Sequence, residues 1–322
     1  MGYAIATVTG GLNDEAHYKV LAAIRTLALA NGWTQQRYVD TGADRELILR
    51  STGLSGTEDI YIGFKTYQSV PSDYYNITAG VFTGFLTGNT FESQPGARLS
   101  GTPCHNNAVT FFITANAQRI VGCFKVGTPV YTHFYAGKMF PYSRPGEFPS
   151  PLVVAGHFDG QEPRRFSDLS QQFPYYGRDV NATGIGGIAD RAQLWLREQN
   201  GNWDKQHHFP WNNAGNSDNA LFGSSGPMRP AGENYQPQPI VLYDFDPTRP
   251  NVWGELDGVT ACTGFNNNSE NVMQVGGTLY NQAGNTVLQA VNGVIAAGGR
   301  AHVILQDTNR TGFNNFIALE MS

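Results

Sequence analysis

The residues best suited to chemistry are the histidines, aspartates and cysteines, and their spacing offers little to catalysis. His207 and His208 are adjacent, with Asp204 just before them. Neighbours on a strand point to opposite faces, so the pair is poorly placed to share a metal, and an exposed polar loop is the favoured reading. His157 and Asp159 (GHFDG) alternate onto one side of a short strand, as two ligands or an acid–base pair would. With no third partner in view, a turn Asp beside an ordinary His is the simpler account. Asp244 and Asp246 (YDFDP) also alternate, and paired carboxylates about 5–9 Å apart hydrolyse glycosides. Pro247 makes a turn the better account. Asp44, Glu58 and Asp59 read as solvated turn residues. Cys104, Cys123 and Cys262 are an odd, scattered set, read as small buried apolar residues rather than a disulfide framework or zinc site. There is no GxSxG elbow, Walker loop, HExxH or paired CxxC. The sequence implies no cofactor, no metal and no catalytic residue.

Composition points to short strands joined by many turns. The chain has 322 residues, 40% hydrophobic and 15% charged, with 38 glycines. The charged share lies well below the usual ~25%. The core can be large enough to fold without disulfides or metal. The net charge of −5 and the lack of a Lys/Arg run exclude a nucleic-acid footprint. No apolar run reaches the ~18 residues of a membrane span. The first residues carry no basic, then apolar, secretory pattern, so synthesis in a reducing cytoplasm is expected.

One helix stands out, over residues 14–31. Val20, Leu21, Ile24, Leu27 and Ala28 recur at helical spacing, Asn13 or Asp14 can cap the start, and Gly32 sits past the end. Residues 4–8, 46–50 (ELILR), 59–64 (DIYIGF), 79–86, 109–114, 119–126 and 131–140 read as strands. Asn116 is placed to take a left-handed turn position between two of them. The stretch 139–152 holds four prolines and reads as an extended arm or packed loop. Residues 157–236 are rich in Gly, Asn, Gln and aromatics, with only 189–198 hinting at an element. Strand signals return at 239–245, 276–280, 287–288, 301–307 and 315–321. The expected fold is α+β and mainly β. A small N-terminal α/β unit (1–67) precedes a β-sandwich or jelly-roll-like body (68–156 plus 237–322), interrupted by the irregular insertion (157–236).

Aromatic loops suit sugar stacking and protein contacts alike, and also a private core for a loop. The interface candidates are Phe140, Pro141, Tyr142, Pro145, Phe148 and Pro149 of the proline arm, Trp195, Trp203 and Trp211 of the insertion, and Arg310. Proline lowers the entropy cost of ordering such an arm against a partner.

Three blocks, in order, carry a family resemblance. The first is the helix ending Asn31-Gly32-Trp33, then ELILR, DIYIGFKTY and Asp73-Tyr74-Tyr75-Asn76. The second is the aromatic run into FPYSRPGEFPSPL and VVAGH. The third is PIVLY, GELDGV (254–259), Gly264-Phe265, Gly276-Gly277-Thr278 and LQDTNRTGFNNFIALEM. Together they resemble virion structural proteins of tailed bacteriophages and prophages, encoded among tail and baseplate genes. The resemblance spans roughly 1–156 and 237–322 and leaves the insertion outside. Arg310-Thr311-Gly312 matches the family's pattern, whereas the acidic position that follows is Asn314 or Asn315 here. The resemblance implies a non-enzymatic virion location after assembly in the host cytoplasm. It implies a baseplate or tail-tip subunit, homo-oligomeric as a ring or trimer, that bridges the tail to fibres or receptor-binding parts and contacts other tail and baseplate proteins. Three alternatives stay open: host attachment to a surface glycan or pilus, a capsid decoration or head–tail joining role, and a virion glycan hydrolase using Asp244 or Asp246 and His157.

Overall fold

The computed structural model describes residues 1–126, 130–142, 151–167, 174–175, 193–205, 236–244, 251–263, 278–280, 286–288, 294–297, 300–306 and 315–321. In chain order these form β1 (Gly2–Val8), α1 (Ala16–Leu29), β2 (Trp33–Val39), β3 (Glu46–Ser51), β4 (Ile60–Ser69), β5 (Tyr74–Phe82), β6 (Arg98–Pro103), β7 (Val109–Ala115), β8 (Arg119–Val126), β9 (Val130–Lys138), β10 (Phe140–Pro141), β11 (Leu152–Ala155), β12 (Phe158–Asp159), β13 (Leu194–Arg197), β14 (Trp203–Lys205), β15 (Gln236–Asp244), β16 (Asn251–Thr263), β17 (Thr278–Tyr280), β18 (Thr286–Leu288), β19 (Val294–Ala297), β20 (Arg300–Gln306) and β21 (Asn315–Glu320). The protein is mainly β with antiparallel sheets, as the composition implies.

The middle layer is a seven-stranded sheet in the order β1-β7-β8-β9-β11-β13-β14. Its central strands are apolar on both faces, because side chains alternate along a strand and each face meets another layer. Phe111, Ile113, Ile120, Phe124, Phe134 and Val154 enter one core, with the helix and the sheet β12-β6-β5-β4-β3-β2. Phe112, Val121, Cys123, Tyr135 and Val153 enter a second core, with Ile240, Leu256, Val303 and Ile317 of the sheet built on β16, β20 and β21. Twofold periodicity with both sets apolar explains why β7 and β8 read as near-continuous hydrophobic runs.

The helix is shorter than its sequence signal and is capped differently. Its N-cap is Glu15, without a side-chain cap bond. The N–H groups of Ala16 and His17 instead donate to the carbonyls of Asn106 and His105. A neighbouring loop thus satisfies donors that a capping side chain would otherwise meet. Val20, Leu21 and Ile24 are fully buried, each contributing about 1.5–3 kcal/mol of apolar burial.

Two boundaries expected from sequence do not separate cores. β1 pairs with β7, and α1 packs in the same core as both sheets, so residues 1–67 share their interior with 68–156. Within the stretch expected as an insertion, β13 and β14 extend the middle sheet by pairing with β11 and with each other. Asn116 is not left-handed, since only Asn13 and Asp73 among described non-glycine residues have positive φ.

Candidate interaction face

The turn between β7 and β8 is where the three large sheets are fastened together. The Asn116 side-chain oxygen accepts from the backbone N–H groups of Gln118 (2.8 Å) and Arg119 (3.0 Å). That fixes the turn through the side chain, which makes a left-handed backbone unnecessary. The Asn116 amide also donates to Asp257 (2.7 Å). The Arg119 side chain is wholly buried, with Nε 3.1 Å from the same Asp257 oxygen. Its Nη1 donates to Thr114 Oγ1 (3.2 Å), and its Nη2 lies 3.2 Å from Met1 Sδ. Burying a guanidinium is costly unless it is paired and hydrogen-bonded, and here it is both. Room for it comes from Gly258 (φ +73°), where a Cβ would stand 1.9 Å from Arg119 Nη2.

Tyr135 and Lys138 complete the fastening. The Tyr135 hydroxyl donates to the Lys138 carbonyl (2.7 Å) and accepts from the Asp257 N–H (3.3 Å). Burial, then the Asp257 charge, pushes its pKa up, so it stays a neutral donor. Lys138 Nζ lies 2.5 Å from Glu58, in the β3–β4 connection. Glu58 is therefore an interlayer tie rather than a solvated turn residue. Arg119–Asp257 ties the middle sheet to the β16 sheet, and Lys138–Glu58 ties it to the β4 sheet.

Around this polar node several large apolar side chains are exposed, among polar neighbours such as Thr52, Ser55 and Thr57. Of eleven exposed large hydrophobic side chains among the described residues, six lie at this end: Met1, Tyr3, Leu29, Leu54, Phe140 and Tyr142. Met1 contacts Arg119, and Tyr3 pairs with Thr114. Leu29 ends the helix just before Gly32, where an added Cβ would meet Ala117. Leu54 follows Ser51, whose hydroxyl donates to the Ala117 carbonyl. Phe140 and Tyr142 follow Lys138, and Phe140 pairs with Glu255. The charges nearby are answered within the chain: Lys138 by Glu58, Arg119 by Asp257, Arg50 by Asp59, while the Tyr142 hydroxyl donates to Glu255 (2.5 Å). Such a surface suits another protein better than a polyanion or a charged small molecule.

The sequence candidates are distributed unevenly about this face. Phe140, Pro141 and Tyr142 belong to it, with Phe140 and Tyr142 about half exposed. Pro145, Phe148, Pro149, Trp211 and Arg310 lie outside the described residues, as do His207, His208 and Asp246. Trp195 and Trp203 stand on the far edge of the middle sheet, partly buried against the first core. The Arg98 guanidinium covers the Trp195 ring at 3.2 Å from its centroid, and Trp203 donates its indole N–H to the Gly96 carbonyl (3.3 Å). His157 and Asp159 diverge. His157 is buried and its Nε2 accepts from the His133 backbone N–H (2.6 Å), while Asp159 pairs with Arg98. Burial, then His133, holds the His157 pKa well below the usual histidine range. Cys104 and Cys123 are free and buried, and burial pushes the Cys104 thiol up to about 12. Asp244 ends β15 and Cys262 lies on β16.

Among the described residues no three His, Cys, Asp or Glu side chains gather as a metal site requires, and no helix is long and apolar enough to cross a membrane. The node itself is invisible in the sequence, because Arg119 and Asp257 meet across the whole body of the fold. The one local signal is Asn116, a few residues before a strand. No known family model matches the chain, and no curated protein matches it in sequence.

Proposed function

We propose that this chain is a structural subunit of a tailed-bacteriophage virion, at the baseplate or tail tip, that self-assembles and bridges the tail to fibres or receptor-binding parts. The observation that carries this reading is the end face: exposed apolar side chains around a turn held rigid by two interlayer ion pairs. A rigid apolar surface with internally answered charges is suited to a permanent protein contact, since little is lost in ordering it. The order of the three sequence blocks supplies the phage context. The glycan-binding alternative is weaker at Trp195, whose ring face is taken by Arg98. The hydrolase alternative is weaker at His157, which is enclosed in the core.

Immunogold labelling of intact particles tests the proposal. Label at the distal tail is expected. Particles without label, from cells that make the protein, would overturn it.

A further inference from the structure

We infer that β1 is a self-pairing edge, joining antiparallel to β1 of a second copy so that two middle sheets become one. The inference rests on reading the chain as a self-assembling subunit, and it names one contact of that assembly, separate from the end face.

β1 is the terminal strand of the middle sheet, bonded along its whole length to β7 and to no other described strand. Among the described residues nothing pairs with its other side, and an edge left so templates a further strand unless it is protected. Several other edges of this protein are protected. β2 carries Arg37 and a register shift between Gln35 and Arg37. β14 has three residues, including Asp204 and Lys205. β12 has two residues, with the charged Asp159, and β10 contains Pro141. β1 runs seven residues, GYAIATV, with no proline, no charged side chain and no register shift. The first core, which includes the helix, takes Ala4 and Val8 but leaves Ala6 of that face exposed, along with Tyr3, Ile5 and Thr7 of the other.

The sequence of β1 favours its own copy as the occupant. Paired antiparallel about Ile5, Tyr3 lies across from Thr7 of the second copy and Ile5 across from Ile5, all on the exposed face. Ala4 then meets Ala6 on the helix side, where Ala4 packs on the first core. Aromatic and β-branched residues meet on one face and small ones on the other, the cross-strand matching that stabilises sheets. No charge opposes a like charge, and such a contact is isologous and closes as a twofold.

The test uses the purified full-length protein. Two Ile5 Cα atoms facing each other across an antiparallel pair would stand about 4.5–5.5 Å apart, within disulfide reach. Ile5→Cys is expected to form an intermolecular disulfide at least about tenfold faster than Val70→Cys, a control on the exposed β4–β5 turn of another sheet. Ile5→Lys places like charges in opposition and is expected to weaken self-association by about tenfold or more, with the thermal midpoint of the subunit unchanged. Equal crosslinking by the two cysteine variants, or association untouched by Ile5→Lys, would overturn the inference. Tail-labelled particles without the Ile5→Cys crosslink would overturn the pairing and leave the virion reading intact. The crosslink with unlabelled particles would do the reverse.

Discussion

A guanidinium shut away from water needs an acceptor from its own chain, and Arg119 finds one in Asp257. Removing one member of a buried pair leaves the other uncompensated, at about 3–5 kcal/mol. Asp257→Ala is therefore expected to lower the unfolding free energy by about that amount in denaturant titration; a loss under about 1 kcal/mol would show the pair to be a solvated contact. His17 makes a second prediction at this scale. Burial first, and the charge of Arg45 second, lower its pKa from 6.5 to about 3. The folded state thus binds fewer protons than the unfolded one between those values. Stability is fully present above about pH 6.5 and falls with pH toward 3, by up to about 1.4 kcal/mol per unit for this one group. His17→Leu should flatten the slope of stability against pH across that window. An unchanged slope would mean that His17 is not held neutral.

At the scale of elements, the sequence shows what is local and hides what is not. The periodicity of Val20, Leu21, Ile24 and Leu27 locates the helix, and the apolar runs of β3, β4, β7 and β8 locate strands, since each depends on neighbours a few residues away. The helix cap is not legible, because Asn106 and His105 supply it from a distant loop. Asp14→Ala, at the expected cap, should then change stability by no more than about 0.5 kcal/mol, because Asp14 makes only an exposed side-chain pair with Lys19. Ile24→Ala should cost about 2–5 kcal/mol through the cavity it leaves. Thermal unfolding of the two variants separates the cases, and a larger loss for Asp14→Ala would restore the capping role. β13 is legible only as an ambiguous hint, since its four residues are too few to show a period.

At the scale of the whole molecule, a middle sheet covered on both faces leaves its ends and edges for contact. The rim of Met1, Tyr3, Leu29, Leu54, Phe140 and Tyr142 is such an end, and β1 is such an edge. Of the rim, the sequence offers Phe140 and Tyr142 through the proline arm. Leu29 and Leu54 are not readable, because their company depends on how the sheets stack around the Asn116 turn. The proposed place in a tailed-phage particle gives these surfaces a context, and the proposed self-association would take them out of water. Native mass measurement of the purified protein, beside a Leu54→Lys/Phe140→Lys variant, tests this most directly. The expected result is a defined oligomer that the double substitution breaks into smaller species without unfolding the subunit. A wild-type chain that stays monomeric at every concentration, or an oligomer indifferent to those substitutions, would contradict it.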